Sequence, residues 1–400
     1  MLGSVVLLLA GAVLIAVSPL WRPLPRPTAE VVAAADTLIP GIAPPLPWPT
    51  TGQAVLDVEG VGRLGQYGGS NPVPIASVAK VMTAYLVLTD RPLAVGAAGP
   101  AVPVTAEEIA NHQAEAARSE SLISVTAGQS FTERQALLAL LLPSANNMAR
   151  ILAAWDAGSV AAFVAKMNTT AAALGMGQTH YTDPAGFDPG TVSTAADQVA
   201  LAHQAMAIPA FAELVAQPSA VLPGNGTVTN ANHMLGQNGV IGIKTGSTTE
   251  AGGCLLFAAK IQAADRTVTV IGAVFSQPGP NSHRQLLATF PIVKALLVAA
   301  GQVLSVFTVV HAGQLIAKIR GPLGTGTTLT ASDDLRIMGW PGLTVHVRAD
   351  IPAVPASLTP GTQHGRVTVS TGGDDPASVS LQAAGRLQPP DRWTRILHHE

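Results

Sequence analysis

Charged side chains are scarce in this chain of 400 residues, and cysteine occurs once. Lysine, arginine, aspartate and glutamate together make up 12% of the sequence, and the formal net charge is −2. A surface that binds nucleic acid needs clustered lysine and arginine, so this balance argues against a nucleic-acid partner. The single Cys254 excludes an internal disulfide and a metal site built from several cysteines. For Cys254 itself we expect a buried position in a strand.

Hydrophobic residues are abundant, at 48% of the sequence, which is enough for a sizeable core and more than one domain. Residues 2–21 contain no charged side chain and have about the length that spans a bilayer. We therefore expect a signal peptide or membrane anchor over residues 1–21, with cleavage candidates at 16–18 and 33–35. Both alternatives predict an extracytoplasmic protein, which is either held at the cytoplasmic membrane by its N-terminus or secreted after cleavage.

The remainder of the chain divides by composition into four parts. Repeated prolines over residues 22–50 predict an extended linker. Residues 51–298 show strand patterns early and late, with helix patterns between them. Over residues 299–386, short strands separated by glycine and proline predict a small β domain, and residues 387–400 form a short tail.

A serine and a lysine stand three residues apart at the start of an apolar run in "PIASVAKVMTAYLVL". Because residues i and i+3 share one face of a helix, a helix that begins here places Lys80 beside Ser77. A serine hydroxyl becomes a nucleophile when a neighbouring base removes its proton. A lysine can act as that base if burial or a second cation lowers its pKa.

Two further motifs supply the groups that such a pair needs. "SAN", with Ser144 and Asn146, follows a predicted helix and offers a hydroxyl for proton relay and a carboxamide that can hold Lys80. "IKTG", with Lys244, lies in an apolar strand that can bring a second ammonium group to the site. Each motif occurs once, and each lies in the local structure that its role requires.

The order S-x-x-K, S-x-N, K-T-G is that of penicillin-binding proteins and class A β-lactamases. Longer stretches extend the likeness: "LLLPSANNMARILA", "MNTTAAALGMGQTHYTDPAGFD" and "GIKTGSTTEAGGCLLFAA". From about residue 50 to near its end, the chain resembles the low-molecular-weight penicillin-binding proteins, the serine D-alanyl-D-alanine carboxypeptidase family of the peptidase S11 type. The resemblance implies an α+β fold. Its first part would be a penicillin-binding-protein/β-lactamase-like transpeptidase domain, an antiparallel sheet with a helical subdomain, and a small all-β domain would follow.

The resemblance also implies catalytic roles for residues of the first two motifs. Ser77 would be the acylated nucleophile, and Lys80 would be the base that activates it. Ser144 and Asn146 would relay protons and orient Lys80. The backbone amides of Ser77 and Ser247 would form the oxyanion hole.

The third motif and one arginine carry the implied substrate contacts. Lys244 and Thr245 would receive the terminal carboxylate of the peptide, and Gly246 and Ser247 would complete this wall of the site. Arg284, in "NSHRQLLATF", stands where the family often has an arginine that bears on the same carboxylate. A solvated arginine at the start of a helix is an equally ordinary interpretation of Arg284.

The implied activity is that of a serine-type D-alanyl-D-alanine carboxypeptidase. Such an enzyme removes the terminal D-Ala from peptidoglycan stem pentapeptides through an acyl-enzyme, is covalently inhibited by β-lactams and needs no cofactor. The alternatives are a D,D-endopeptidase of peptidoglycan cross-links, a class A-like β-lactamase and a non-catalytic penicillin-binding module. The lactamase mechanism uses a glutamate between the second and third motifs. Glu213 is the one glutamate there, and it lies in a helix-like segment, so we expect slow deacylation.

Two departures from the family pattern concern the expected site. Val78 and Ala79 stand where hydroxyl residues are common in the first motif, and on a helix they would face away from Ser77. Ala185 stands where many relatives carry a histidine, and we expect it to affect the packing of a loop near the site.

Metal catalysis is the main competing chemistry. Glu108, His112 and Glu115 share one face of a predicted helix. No second histidine stands at the spacing that zinc proteases use, so we expect a solvated helix face and no metal.

Overall fold

The computed structural model describes residues 18–21, 23–43, 45–118, 120–373 and 376–397, except the side chains of 112–115. Of the apolar segment expected over residues 1–21, residues 1–17 lie outside this description. The strands are β1 Thr28–Val31, β2 Asp36–Leu38, β3 Gln53–Val58, β4 Gly62–Tyr67, β5 Val73–Pro74, β6 Ala101–Pro103, β7 Ser130–Thr132, β8 Val192–Ser193, β9 Ser219–Leu222, β10 Gly226–Thr229, β11 Val240–Thr248, β12 Gly252–Ala263, β13 Arg266–Gln277, β14 Ser305–Val310, β15 Leu315–Arg320, β16 Gly326–Ala331, β17 Leu335–Gly339, β18 Thr344–Asp350, β19 Gln363–Ser370 and β20 Ala377–Ala383. The helices are α1 Lys80–Asp90, α2 Ala106–Ala117, α3 Glu133–Leu141, α4 Asn146–Ala157, α5 Val160–Ala173, α6 Ala195–Met206, α7 Pro209–Val215, α8 Ser282–Val303 and α9 Arg392–Leu397, and short 3-10 turns lie at Ser18–Trp21, Ala76–Ala79 and Pro322–Gly324.

The larger of two compact units comprises residues 45–304 and is built on a five-stranded antiparallel sheet. Its strand order is β11-β12-β13-β3-β4, so strands from both ends of the unit meet in one sheet, as the sequence pattern predicts. β12 and β13 consist largely of buried residues, including Cys254, because α8 packs against them and α6 contacts β13. β11 lies at the edge of this sheet.

A helical subdomain packs around α1, which is buried on nearly all sides. α1 contacts α3, α4 and α6, and this explains why its sequence is apolar all round. α3 begins with the predicted capping box: the Gln135 amide donates to the Thr132 hydroxyl at 3.2 Å, and the Thr132 amide donates to the Gln135 side chain at 2.9 Å. These helices carry the first two motifs toward the edge strand β11.

The second unit joins the described residues before Pro44 to those from Ser305 onward. It contains a seven-stranded sheet in the order β1-β15-β16-β20-β19-β18-β2 and a separate pair, β14-β17. The structure therefore differs from the linker expected over residues 22–50, because β1 pairs with β15 and β2 pairs with β18. Prolines cannot donate to a sheet, but the stretch between Pro27 and Pro40 contains none, so its amides are free to pair.

The last helix of the larger unit, α8, places the boundary later than the sequence suggested. The expected boundary at residue 299 falls inside α8, which continues to Val303. Among the described residues, α8 is the one unbroken helix whose length and composition would suffice to cross a membrane. It packs along β11, β12 and β13, and its buried apolar residues are Val293, Leu296, Leu297 and Ala300.

Candidate active site

Ser77 lies in the 3-10 turn Ala76–Ala79, directly before α1 begins at Lys80. The sequence predicted Ser77 in the first turn of the helix itself, and the structure instead gives that turn the tighter 3-10 winding. The expected neighbour relation holds, because the Ser77 Oγ and the Lys80 Nζ lie 2.7 Å apart. The nucleophile and base of the sequence prediction are thus in hydrogen-bonding contact.

Lys80 is fully buried, and its Nζ has three oxygen partners. Besides the Ser77 Oγ, it donates to the Asn146 Oδ1 at 2.6 Å and to the Ala185 carbonyl oxygen at 3.0 Å. The last two oxygens can only accept, whereas a hydroxyl can donate or accept. A neutral amine has two N–H groups and one lone pair, so it can donate to both carbonyl oxygens and still accept the proton of Ser77.

The surroundings of Lys80 favour that neutral amine. Burial holds the pKa of Lys80 well below its usual value, and the charges of Lys244 and Arg150 act in the same direction, while Asp183 and Glu120 oppose them. A lysine with a strongly lowered pKa can accept a proton near neutral pH. The electrostatics therefore suit a general base at this position.

Asn146, the first residue of α4, connects Lys80 to a buried carboxylate that the sequence analysis did not identify. Its Nδ2 donates to the Glu120 Oε2 at 2.7 Å, and the Glu120 side chain has no exposed surface. Arg118 and Arg150 form ion pairs with Glu120 at 2.5 and 3.1 Å. Burial acts to raise the pKa of Glu120, but hydrogen bonds from Asn146 and Arg118 and the charge of Arg150 hold it below its usual value.

The third motif is part of the edge strand β11, which passes beside Ser77. Lys244 and Thr245 are buried, at 1% and 4% exposure, and burial lowers the pKa of Lys244 to about 7. A Cβ atom at Gly246 would lie 2.9 Å from the Ser77 backbone nitrogen. Glycine thus lets the strand pass beside the Ser77 amide. Ser247, the next residue, lines the cleft into which Ser77 opens.

Ser144 and Arg284 also lie in the larger unit, but neither contacts the Ser77–Lys80 pair through a hydrogen bond between described residues. The Ser144 backbone is left-handed, with φ 66°, and its buried hydroxyl has no hydrogen-bond partner among the described residues. Arg284 is exposed in the first turn of α8, two residues after Ser282, which lines the cleft. Proton relay by Ser144 and carboxylate binding by Arg284 remain predictions.

A tight loop after Tyr181 supplies the Ala185 carbonyl oxygen. The Asp183 carboxylate accepts backbone N–H bonds from Gly186 and Phe187 at 2.5 and 2.9 Å, which fixes the loop. The Ala185 side chain is buried, and its carbonyl rather than its side chain reaches Lys80. An alanine in place of the family's histidine is therefore compatible with this contact.

Ser77 opens into a cleft of about 470 Å³ whose walls come from the 3-10 turn, α4, β11 and the loop at Gly186. Glu213 is not in this cleft: it lies on α7, as its helix-like pattern predicted, and Arg134 binds its two oxygens at 2.5 and 2.6 Å. Within the described residues, no group of three His, Cys, Asp or Glu could hold a metal ion. The expectation of a solvated helix face is wrong at Glu108, which is buried on α2, and the side chains of His112 and Glu115 lie outside the description.

Comparison with known proteins agrees with this arrangement. The family model described as D-alanyl-D-alanine carboxypeptidase matches residues 64–275, more than half of the chain. The chain belongs to the D-alanyl-D-alanine carboxypeptidase family. The D-alanyl-D-alanine carboxypeptidase match spans the first and second motifs, the loop at Ala185 and the third motif.

Curated relatives and a solved structure resemble this D-alanyl-D-alanine carboxypeptidase. D-alanyl-D-alanine carboxypeptidase DacB2 of Mycobacterium tuberculosis is 35% identical over 224 residues, which cover 54% of this chain and 72% of that protein. A D-alanyl-D-alanine endopeptidase of Pseudomonas aeruginosa is 31% identical over 234 residues, covering 56% and 71%. Penicillin binding protein 5 from Haemophilus influenzae has a TM-score of 0.60 over 87% of this chain and all of its own, and its 22% identity supports the fold alone. The predicted family, the α+β fold class and the serine D,D-carboxypeptidase type of enzyme are confirmed.

Proposed function

We propose that this D,D-carboxypeptidase removes the terminal D-alanine from peptidoglycan stem peptides through an acyl-enzyme on Ser77. The observation that carries the proposal is the fully buried Lys80 Nζ at 2.7 Å from the Ser77 Oγ. Two acceptor-only oxygens occupy the other two positions around Nζ, so the lone pair of the neutral amine is directed at the hydroxyl. This is the arrangement of an activated nucleophile and its base.

In the first step, Lys80 takes the Ser77 proton while the Oγ bonds to the carbonyl carbon of the penultimate D-alanine. The backbone amides of Ser77 and Ser247 stabilise the oxyanion. The C–N bond then breaks, and Lys80 returns the proton to the nitrogen of the departing D-alanine, with Ser144 as the relay. Water next attacks the ester and gives one proton to Lys80. Lys80 passes this proton to the Ser77 Oγ as the C–Oγ bond breaks, which restores the hydroxyl and the neutral amine, and the shortened peptide leaves as a carboxylic acid that ionises in water.

The edge strand β11 provides the substrate site. An edge strand offers unpaired backbone groups to an extended peptide, which can bind as an added strand. Lys244 in its cationic form, together with Thr245, receives the terminal carboxylate, and Gly246 lets β11 pass close to the Ser77 backbone. Arg284 contributes a second cation for the same carboxylate from α8.

β-Lactams act as covalent inhibitors at the same serine. Class A β-lactamases hydrolyse the acyl-enzyme that forms with a β-lactam by means of a glutamate that deprotonates water. Glu213 is held by Arg134, and Glu120 is held by Arg118 and Arg150, so neither is a free base. Glu250 also lines the cleft, but it lies in an exposed turn after β11 and not between the second and third motifs. We therefore expect the acyl group from a β-lactam to stay on Ser77 for a long time.

Cleavage of peptidoglycan cross-links is the second candidate function. A relative of similar identity carries the name D-alanyl-D-alanine endopeptidase, and its reaction would use the same acyl-enzyme. The two activities differ in the leaving group, which is free D-alanine in one case and a cross-linked stem peptide in the other.

The family acts on the cell wall, which places the enzyme outside the cytoplasm. We propose that the apolar residues 2–21 either anchor the protein at the cytoplasmic membrane or direct its secretion. Fractionation of cells that express the full chain tests this, with the envelope or the medium as the expected location. Recovery of the full-length protein only from the cytosol would contradict it.

Assays with two soluble substrates test the function itself. Purified enzyme should release D-alanine from a pentapeptide that ends in D-alanyl-D-alanine, and Ser77→Ala and Lys80→Ala should be inactive. Glu213→Gln, which lies outside the cleft, should keep the wild-type rate. Cleavage of a cross-linked dimer without release of D-alanine from the pentapeptide would assign the endopeptidase function instead.

A further inference from the structure

Glu120 contacts the catalytic network from a segment with no recognised motif. It lies in the extended segment between α2 and β7, and the neighbouring Ser121 carbonyl accepts the Asn146 backbone N–H at 2.7 Å. This bond ties the segment to the start of α4. Asn146 and Arg150 stand four residues apart on one face of α4, and both contact the Glu120 Oε2, at 2.7 and 3.1 Å.

We propose that Glu120 is a positioning residue that fixes the orientation of the Asn146 carboxamide, so that the carboxamide oxygen and not its nitrogen faces Lys80. The proposal rests on the roles of Lys80 and Asn146 given under the proposed function, and it adds a residue to which no motif assigns a role.

The orientation of the Asn146 carboxamide depends on which neighbouring groups donate and which accept hydrogen bonds. A carboxamide has a donor end and an acceptor end of nearly equal size, and only its partners decide which way it points. An ionised carboxylate only accepts, so Glu120 binds the Nδ2 end of Asn146 and leaves Oδ1 for Lys80. If Asn146 were reversed, its Nδ2 would donate to the Lys80 lone pair. That lone pair would then be unavailable to the Ser77 proton.

Arg118 and Arg150 keep Glu120 ionised, which is the form that only accepts hydrogen bonds. Arg118 donates to the Glu120 Oε1 through Nε at 3.0 Å and through Nη2 at 2.5 Å, and Arg150 donates to Oε2. A protonated carboxyl could donate as well as accept, so it would no longer select the Nδ2 end of Asn146 over the Oδ1 end. Two cations at a carboxylate with no exposed surface stabilise its ionised form.

The substitution Glu120→Gln keeps the size of the side chain and changes its hydrogen-bonding groups, so it tests the orientation of the Asn146 carboxamide. A glutamine has one oxygen in place of the two carboxylate oxygens. If that oxygen stays with Arg118, which donates to it twice, the NH₂ group takes the place of Oε2, faces Asn146 and favours the reversed carboxamide. We expect Glu120→Gln to slow acylation by labelled penicillin by about 10- to 100-fold, the order of loss for a small misplacement at a reacting centre. Glu213→Gln is the matched control, because it is also a glutamate paired with an arginine but lies outside the cleft, and it should acylate at the wild-type rate.

The pH profile distinguishes this role from a merely structural one. Lys80 is faced by Lys244 and Arg150, which lower its pKa, and by Asp183 and Glu120, which raise it. Removing the Glu120 charge should therefore move the acid limb of the acylation rate to lower pH, while the maximum rate falls. Glu120→Asp keeps the charge but withdraws the oxygen from Asn146, so it should slow acylation without moving the limb. A purely structural role would reduce the amount of folded enzyme and leave the limb in place.

A double mutant tests the coupling directly. Asn146→Asp alone places two carboxylates against each other. Combined with Glu120→Gln it exchanges the amide and the carboxylate, so that the introduced glutamine would donate to the introduced aspartate, whose other oxygen still accepts from Lys80. We expect the double mutant to acylate about tenfold faster than Asn146→Asp alone, a coupling typical of contacting residues.

The outcomes separate this inference from the proposed function. Wild-type acylation rates in Glu120→Gln or Glu120→Asp, or additive effects in the double mutant, would overturn the role of Glu120 alone, provided that Lys80→Ala and Asn146→Ala are slow. Wild-type rates in Lys80→Ala would overturn the proposed function and this inference with it. Rates are compared per folded molecule, measured by thermal unfolding of each full-length variant.

Discussion

Lys80 and Lys244 are both buried, at 0% and 1% exposure, yet the proposed mechanism needs opposite charge states from them. Lys80 must be neutral to accept the Ser77 proton, and Lys244 must be a cation to receive the carboxylate of the substrate. Burial lowers the pKa of both lysines, and the charge of Lys244 lowers the pKa of Lys80 further. We therefore expect the enzyme to be active in the pH interval where Lys80 has lost its proton and Lys244 has kept its own.

The pKa of Lys244 predicts the alkaline side of the pH profile. Because burial lowers this pKa to about 7, Lys244 is cationic below pH 7 and neutral above it. We expect kcat/KM for release of D-alanine to fall as the pH rises through about 7. Lys244→Arg keeps its charge throughout, so its alkaline limb should disappear, although the rate at its maximum is reduced.

Steady-state rates between about pH 5 and 9 provide the measurement. Lys260→Arg, at an exposed position on β12, is the control and should retain the wild-type limb. An alkaline limb that survives in Lys244→Arg would show that another group titrates there.

Some residues of the site could be predicted from the sequence, and Glu120 could not. Ser77, Lys80, Asn146 and Lys244 stand in motifs with recognisable spacing, and the structure brings all four to one place. Glu120 stands 26 residues before Asn146, and no spacing rule connects them, because their contact depends on how the segment before β7 packs on α4. The only local signal was the closeness of two charged residues, Arg118 and Glu120, in a chain where charged residues are rare.

The loop around Gly186 links backbone geometry to catalysis at the level of an element. Gly186 has φ +71°, and a Cβ atom there would lie 1.9 Å from the Ala76 carbonyl oxygen. A left-handed alanine costs about 1–2 kcal/mol, and overpacking costs about 1–3 kcal/mol more. We expect Gly186→Ala to lower the free energy of unfolding by roughly 2 kcal/mol or more and to slow acylation, because the Ala185 carbonyl would move away from Lys80.

Urea denaturation and labelled-penicillin kinetics measure the two effects. Gly177→Ala is the control, since no heavy atom lies within 4 Å of its added Cβ and its φ is not left-handed. If both alanine variants are equally stable and equally active, the loop does not depend on a glycine at position 186.

Elements with a strong pattern were predicted well, and elements that depend on a distant partner were not. The apolar period placed α1, α3 and the strands β11 to β13, and the capping box marked the start of α3. β1 and β2 were missed, because the density of proline around them indicates a linker and only pairing with β15 and β18 makes them strands. Edge strands of this kind carry little information in their own sequence.

The division of the whole molecule predicts where its activity resides. Every residue assigned to the site lies within residues 45–304, the larger of the two units. We expect a chain of residues 45–304 to be acylated by labelled penicillin at a rate close to that of the full chain. The truncation removes residues before 45 as well as those from 305 onward, because β1 and β2 pair with β15 and β18 of the second unit.

Acylation kinetics and thermal unfolding of the two chains make the comparison. Removal of residues 305–400 alone is the informative control, since it leaves β1 and β2 without their partner strands and should reduce solubility. A 45–304 chain that is folded but not acylated would show that the second unit helps to build the site.

The central claim, an acyl-enzyme formed on Ser77 with Lys80 as its base, is tested most directly by mass spectrometry of the full-length protein after exposure to penicillin. We predict a single adduct with the mass of the intact antibiotic, located on the peptide that contains Ser77 and retained long after free penicillin is removed. Ser77→Ala should form no adduct, and Lys80→Ala should form it about 10² to 10⁴ times more slowly, as is typical when a general base is lost. A folded wild-type protein that forms no adduct, or one that carries the adduct on another residue, would contradict the account.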